Sequence, residues 1–186
     1  MINYTMKILY LPGLASITDN NYDIGSSCKL VHLMELANCT VFDYKLFKPS
    51  SIIQYISNFD LLFGSSFGGY FAFYLSVLTG KNSILVNPSL YLDERIDQLK
   101  YEFPTELAFL DSKALKSLRT DPSDKAYDHI NVLMNTDDAV LDASRILKIA
   151  EEFQANTYIF EKGGHESTNF QGDMLPTIKM LLNSFS

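Results

Sequence analysis

The chain has 186 residues, 47% of them hydrophobic and 20% charged, which excludes a disordered or fibrous protein and suits one globular domain. A net charge of −7 with no run of lysines or arginines argues against nucleic acid or an anionic membrane as the main partner. Cys28 and Cys39 are the only cysteines and lack metal-type spacing, so both are expected to be reduced thiols of a cytoplasmic protein.

The opening "MINYTMKILYLPGL" has one lysine and a short apolar stretch without a small-residue cleavage site. It reads as the lead-in to a strand at 7–11 rather than as a secretory signal. A second strand is expected at 39–44. After Pro49 and Ser50, residues Ile52, Ile53 and Ile56 recur at helical spacing. The stretch from Leu61 to Gly80 then carries no charge and approaches the length of a bilayer span. Serines and glycines in its first half, and Asp60 and Lys81 at its borders, favour instead a buried strand at 60–64 followed by a buried helix. A strand at 83–87 comes next.

From Pro88 to His129 the chain takes 42 residues before the following strand, more than a simple crossover needs. Two helical patterns lie inside it, Leu92-Ile96-Leu99 and Leu107-Leu110-Ala114-Leu118, separated by Pro104. This excursion is expected either to cover a site as a small helical lid or simply to pack on the sheet. Its Tyr91, Tyr101, Phe103 and Phe109 are expected either to make a pocket wall apolar or to pack as core. Strands at 130–135 and 157–161 bracket a helix that follows Asp142, a good cap, and carries Ala143, Ile146, Leu147, Ala150 and Phe153. In the last helix Asp173 is the expected cap, Pro176 sits in the first turn, and Ile178, Leu181, Leu182 and Phe185 share a face. Apolar runs without strict alternation, interleaved with helices, predict a three-layer α/β/α sandwich around a mostly parallel sheet of about six strands.

Gly64-Ser65-Ser66-Phe67-Gly68 fits G-x-S-x-G at the junction of a strand and a helix. Small residues there permit a tight turn with Ser66 at its tip, above the free N–H groups of a helix start. Ser65 is expected to be structural. A serine alcohol needs a base. Of three histidines, His165 follows Gly163-Gly164 just beyond the last strand, at the sheet edge where sites in such folds assemble, whereas His32 and His129 read as packing or surface residues. An acid should lie between serine and histidine in the chain, and the loop after 130–135 offers Asp137 and Asp138; spacing leaves both open. The N–H of Phe67 and that of Leu14, in the "YLPGLAS" loop, are the expected oxyanion donors.

These segments resemble the α/β-hydrolase superfamily, and within it the small esterases of the YqiA/YcfP-like type, over essentially the whole chain. "YLPGL" looks like their "YLHGF", "GSSFGGYFA" like their nucleophile elbow, and "LVNPS" like their Asn-Pro step. "TDDAVLD" is similar to their "TGDEVLD", and "GGHES" to their glycine-rich histidine loop. The alignment of "TDDAVLD" puts the acid at Asp138, with Asp137 as its rival in the place of a family glycine. Pro12 stands where the family has histidine, and residues 88–129 share little with it.

The resemblance implies a minimal α/β-hydrolase fold lacking the first two strands of larger members. It also implies cleavage of short-to-medium acyl esters or thioesters through Ser66, His165 and Asp138, with no metal or organic cofactor. Acyl transfer through the same residues, and a catalytically silent hydrolase-like binding protein, are the alternatives.

Overall fold

The computed structural model describes residues 6–185, so the part of the opening reading that rests on residues 1–5 lies outside them. Six strands form one sheet: β1 (Lys7–Leu11), β2 (Asn38–Val41), β3 (Leu61–Ser65), β4 (Asn82–Val86), β5 (Ile130–Asn135) and β6 (Asn156–Phe160). Their order is β2-β1-β3-β4-β5-β6, and every neighbouring pair is parallel.

Side chains alternate across a strand, so a strand covered on both faces must be apolar at every position. Leu9, Leu11, Leu62, Leu85, Val132 and Met134 enter one core, while Ile8, Tyr10, Leu61, Phe63, Ile84, Val86 and Leu133 enter the other. Eight helices flank the sheet among the described residues. A single turn, α1 (Ala15–Thr18), follows β1. Helix α2 (Cys28–Met34) and helix α8 (Leu175–Ser184) cover the second core. Helices α3 (Pro49–Ile56), α4 (Phe67–Thr79), α5 (Leu92–Glu102), α6 (Ser112–Lys116) and α7 (Ala143–Glu152) build the first. The expected three layers are therefore present.

Helix α4 is the hub of the larger core, with every residue from Phe67 to Ser76 buried. That burial, together with the fully buried β3, accounts for the uncharged stretch from 61 to 80. No helix among the described residues is long and apolar enough to cross a membrane.

Four local expectations are corrected. The second strand stops at Val41, because the Asp43 carboxylate accepts the Lys45 N–H at 2.9 Å and starts a tight turn over Tyr44–Leu46. Ile52 and Ile56 share the buried face of α3, whereas Ile53 is 51% exposed. The second pattern of the excursion is not one helix. Asp111 accepts the Lys113 N–H at 2.8 Å and starts α6 late, leaving Leu107, Leu110 and Leu118 buried but outside it. Asp173 caps nothing, because a π turn over Phe170–Met174 runs straight into α8. Buried Phe170 and Met174 pull the helical path upstream, and the Leu175 N–H reaches back to the Phe170 carbonyl.

The excursion packs as core. Leu92, Ile96, Leu99, Leu107, Leu110, Leu115 and Leu118 are buried in the first cluster. Two tyrosines of α4 fasten it, the Tyr70 hydroxyl donating to the Leu115 carbonyl at 3.2 Å and the Tyr74 hydroxyl to the Leu90 carbonyl at 3.4 Å. Strand order reverses between β1 and β3: the chain leaves β1 toward β2 and leaves β3 toward β4. Loops after those two strands therefore diverge and open a crevice at their carboxyl ends.

Candidate active site

Ser66 makes the turn at that crevice alone, between the last residue of β3 and the first of α4. Its φ of 49° and ψ of −113° form a sparsely populated conformation that the surroundings must hold in place. Glycine on either side is a packing requirement. A Cβ on Gly64 would fall 2.7 Å from the Ala72 Cβ, and one on Gly68 would fall 2.0 Å from the Leu11 carbonyl oxygen. Only hydrogen at these positions lets α4 lie directly against β1 and β3. The Ser66 N–H donates to the Val86 carbonyl at 3.1 Å, and its carbonyl accepts from the N–H groups of Gly69 and Ser89, each at 2.9 Å. Ser65 is buried at the end of β3.

Three side chains then line up from three different loops. Ser66 Oγ lies 2.9 Å from His165 Nε2, and His165 Nδ1 lies 2.8 Å from Asp138 Oδ2. Asp138 is fully buried at its side chain, and its Oδ1 accepts the N–H groups of Val140 and Leu141 at 2.8 and 2.9 Å. With the Nδ1 proton given to Asp138, Nε2 is left to accept from the serine hydroxyl.

Asp137, the rival acid, does something else. It accepts the N–H groups of Gly163 and Gly164 at 3.2 and 2.7 Å and so clamps the histidine loop. Asp142 caps α7 by accepting the Arg145 N–H at 3.1 Å, and hydrogen bonds from the Ser144 hydroxyl and this N–H hold its carboxyl below the usual range. His32 stacks on Phe170 and His129 bonds the Ser76 carbonyl, both away from the site.

The first N–H groups of an α-helix have no intrahelical acceptor, which places the Phe67 N–H beside the serine. Leu14 immediately precedes α1. A Cβ on neighbouring Gly13 would sit 3.6 Å from the Ser66 Cβ, so this loop abuts the serine. The Pro12 carbonyl accepts a hydrogen bond of 2.7 Å from the buried Tyr44 hydroxyl. Burial pushes the Tyr44 phenol well up, so it stays a donor there. Spacing carried no sign of this anchor, because Tyr44 reads as the end of a strand.

A cavity of about 690 Å³ opens beside the same loop, with Pro12, Tyr44 and Phe109 in its wall. Asp19, Asp43 and Glu106 line it against one cation, Lys45. Of the four aromatics expected there, only Phe109 arrives. Tyr101 is 86% exposed, Phe103 packs against the core, and Tyr91 lies under the Arg145 guanidinium while its hydroxyl accepts the Asp142 N–H at 2.9 Å. Among the described residues no group of three or more His, Cys, Asp or Glu could hold a metal ion.

A serine bonded to an imidazole that is itself oriented by a buried carboxylate can attack an acyl carbon while shedding its proton. The family model described as "Uncharacterised protein family (UPF0227)" matches residues 24–182. The chain belongs to UPF0227. That is the YqiA/YcfP-like group its sequence resembles. No curated protein matches this UPF0227 chain. Its fold matches solved α/β hydrolases. One is an α/β serine hydrolase without a lid from Xanthomonas campestris, at 13% identity and TM-score 0.58, covering 98% of this chain and 84% of that one. Another comes from work on carboxylesterases of Nitrososphaera gargenis, at 10% identity and TM-score 0.58, covering 97% and 92%. A third is the type II thioesterase BorB from the borrelidin biosynthetic cluster, at 17% identity and TM-score 0.52, covering 95% and 92%. At these identities the likeness is one of fold.

Proposed function

We propose that this chain is a single-domain serine hydrolase that cleaves short-to-medium acyl esters or thioesters. The observation that carries the reading is the unbroken line from Ser66 Oγ through His165 to the buried Asp138, with contacts of 2.9 and 2.8 Å. Ser66 Oγ attacks the substrate carbonyl carbon as His165 Nε2 takes its proton. Asp138 keeps the ring oriented and stabilises the imidazolium. The N–H groups of Phe67 and Leu14 receive the oxyanion. Collapse of the intermediate breaks the bond to the alcohol or thiol, which leaves with the proton from His165. Water, deprotonated by the same nitrogen, then attacks the acyl-enzyme and releases the acid and Ser66.

The cavity beside Pro12 has room for a small-molecule substrate, and Thr105, Glu106, Ala108 and Phe109 of the excursion rim it. Leucines built into the core make 88–129 a fixed cover in this reading. The free Cys28 and Cys39 fit a reducing compartment such as the cytoplasm. No cofactor enters any step.

Intact-mass labelling with a fluorophosphonate tests the reading. Wild type should gain one adduct, mapped to the peptide carrying Ser66, and Ser66→Ala should gain none. A panel of acyl esters and acyl-CoA thioesters then ranks substrates, with added alcohols and amines as competing acceptors to expose acyl transfer. A folded wild type that neither labels nor hydrolyses any of them overturns the proposal and leaves the silent-scaffold alternative.

A further inference from the structure

The Asn-Pro step after β4 touches both partners of the Ser66–His165 pair. Toward the serine, Val86 accepts the Ser66 N–H at 3.1 Å, and the Ser89 N–H returns to the Ser66 carbonyl at 2.9 Å. Pro88 between them lies hard against α4, where a Cβ on Gly69 would come within 2.4 Å of the Pro88 Cβ. Toward the histidine, the Asn87 side chain, 1% exposed, aims Nδ2 at three acceptors. These are the carbonyls of Gly164 and His165 at 2.9 and 3.0 Å and the Ser167 hydroxyl at 3.1 Å.

Asn87 Oδ1 accepts the Asn135 N–H at 2.8 Å, which ties the amide to the end of β5. Both ends of the carboxamide are therefore used. The backbone at Asn87 has a φ of 43°, in the left-handed region that asparagine enters more readily than most residues. Asn135, fully buried, adds a second bond to the Gly164 carbonyl at 2.9 Å. Its side chain also exchanges hydrogen bonds with Asn169 at 3.2 and 3.0 Å.

A histidine that follows two glycines has little local reason to hold still, because glycine gives up more backbone freedom on ordering than any other residue. A displacement of about 1 Å at a reacting pair costs on the order of 100-fold in rate. Something outside the loop must therefore hold the His165 backbone, and a buried carboxamide bonded to successive carbonyls is suited to it.

We infer that Asn87 is a positioning residue for the reaction: its side chain sets the Ser66–His165 separation by holding the Gly164 and His165 carbonyls, with Asn135 as the second support. The inference rests on the hydrolase reading of that pair. Asn87 touches no substrate; it acts through the backbone of the base.

Two variants test it. Asn87→Gly deletes the amide and accepts the left-handed backbone, and Asn87→Asp keeps the shape while replacing the donor by an acceptor. In either folded variant kcat should fall about 30- to 100-fold with KM within about threefold, and fluorophosphonate labelling should slow in step. Ser167→Ala, which leaves both carbonyl bonds, should keep kcat within about threefold. The ring proton and nitrogen NMR resonances of His165 should shift and broaden in the Asn87 variants and not in Ser167→Ala. An unchanged kcat with unchanged His165 resonances, a loss confined to KM, or an equal loss in Ser167→Ala overturns the inference. If neither Asn87 variant folds, Asn169→Ala, which removes only the support of Asn135, should lose about tenfold in kcat and broaden the His165 resonances, and a kcat within about threefold of wild type with unchanged resonances counts against the idea. A wild type without hydrolase activity sinks the hydrolase reading, while the His165 resonances still decide whether Asn87 holds the ring.

Discussion

Two adjacent aspartates divide the work around one histidine. Asp138 meets the ring through Oδ2 and is itself fixed by two backbone N–H groups, whereas Asp137 never reaches the ring and grips the glycines before it. Asp138→Asn should therefore reverse the donor pattern at Nδ1 and lower kcat about 10⁴-fold while the protein stays folded. Asp137→Asn only weakens two hydrogen bonds to the loop and should cost about tenfold or less. Steady-state kinetics on both variants checks the division; a heavier loss in Asp137→Asn would move the acid to that residue. Spacing left the pair open, and the family pattern pointed to Asp138. What neither contained is the separate function of Asp137, because a clamp on Gly163 and Gly164 exists only once two loops after different strands have met.

Elements meet at the elbow with almost no spare volume. Gly68 brings the start of α4 against the last residue of β1, and the methyl of an alanine there would sit 2.0 Å from the Leu11 carbonyl oxygen. Backbone, unlike a long side chain, cannot swing aside. Gly68→Ala should cost about 3 kcal/mol or more in denaturant unfolding, or leave the protein insoluble. Stability close to wild type would mean that α4 and β1 are farther apart than described. The same helix carries Tyr70 and Tyr74, whose hydroxyls pin the excursion. Helical spacing located the excursion's leucines but left open whether they cover a site or pack on the sheet, and it did not reveal that Asp111 breaks the second pattern or that Tyr91 turns from the pocket to Asp142 and Arg145. Those outcomes depend on which partner lies across a gap, and local periodicity is blind to partners.

At the scale of the whole molecule, the core buries phenols that must stay neutral. Burial pushes Tyr10 and Tyr74 up to about 12, against an ordinary 10.0, and holds Tyr70 and Tyr44 well above that ordinary value too. A phenol whose folded pKa lies above its unfolded value keeps its proton longer in the folded state. Its contribution to stability is complete below the unfolded value of 10.0 and is lost as pH rises through the folded one. Stability should therefore decline from about pH 10 upward, with tyrosinate absorbance from these groups appearing together with loss of far-UV circular dichroism. Ionisation of these four phenols near pH 10 with the dichroism intact would contradict their burial.

The sequence by itself determined the layer architecture, the order of strands and helices along the chain, and the types of residue at the candidate site. Both faces of a buried strand and one stripe of a helix demand apolar residues at fixed periods, and a strand-to-helix turn through G-x-S-x-G demands small neighbours, so these features are written locally. Only the tertiary structure decided the rest. Strand order put β1 and β3 side by side and opened the crevice between their loops. Three loops then brought Ser66, Asp138 and His165 within hydrogen-bonding distance. Tyr44, Asn87 and Asn135 became supports of that site through contacts 32, 77 and 29 residues away in the chain. Hydrogen bonds of that reach leave no period in a sequence, because their partners are chosen by how the sheet is ordered and not by what lies nearby.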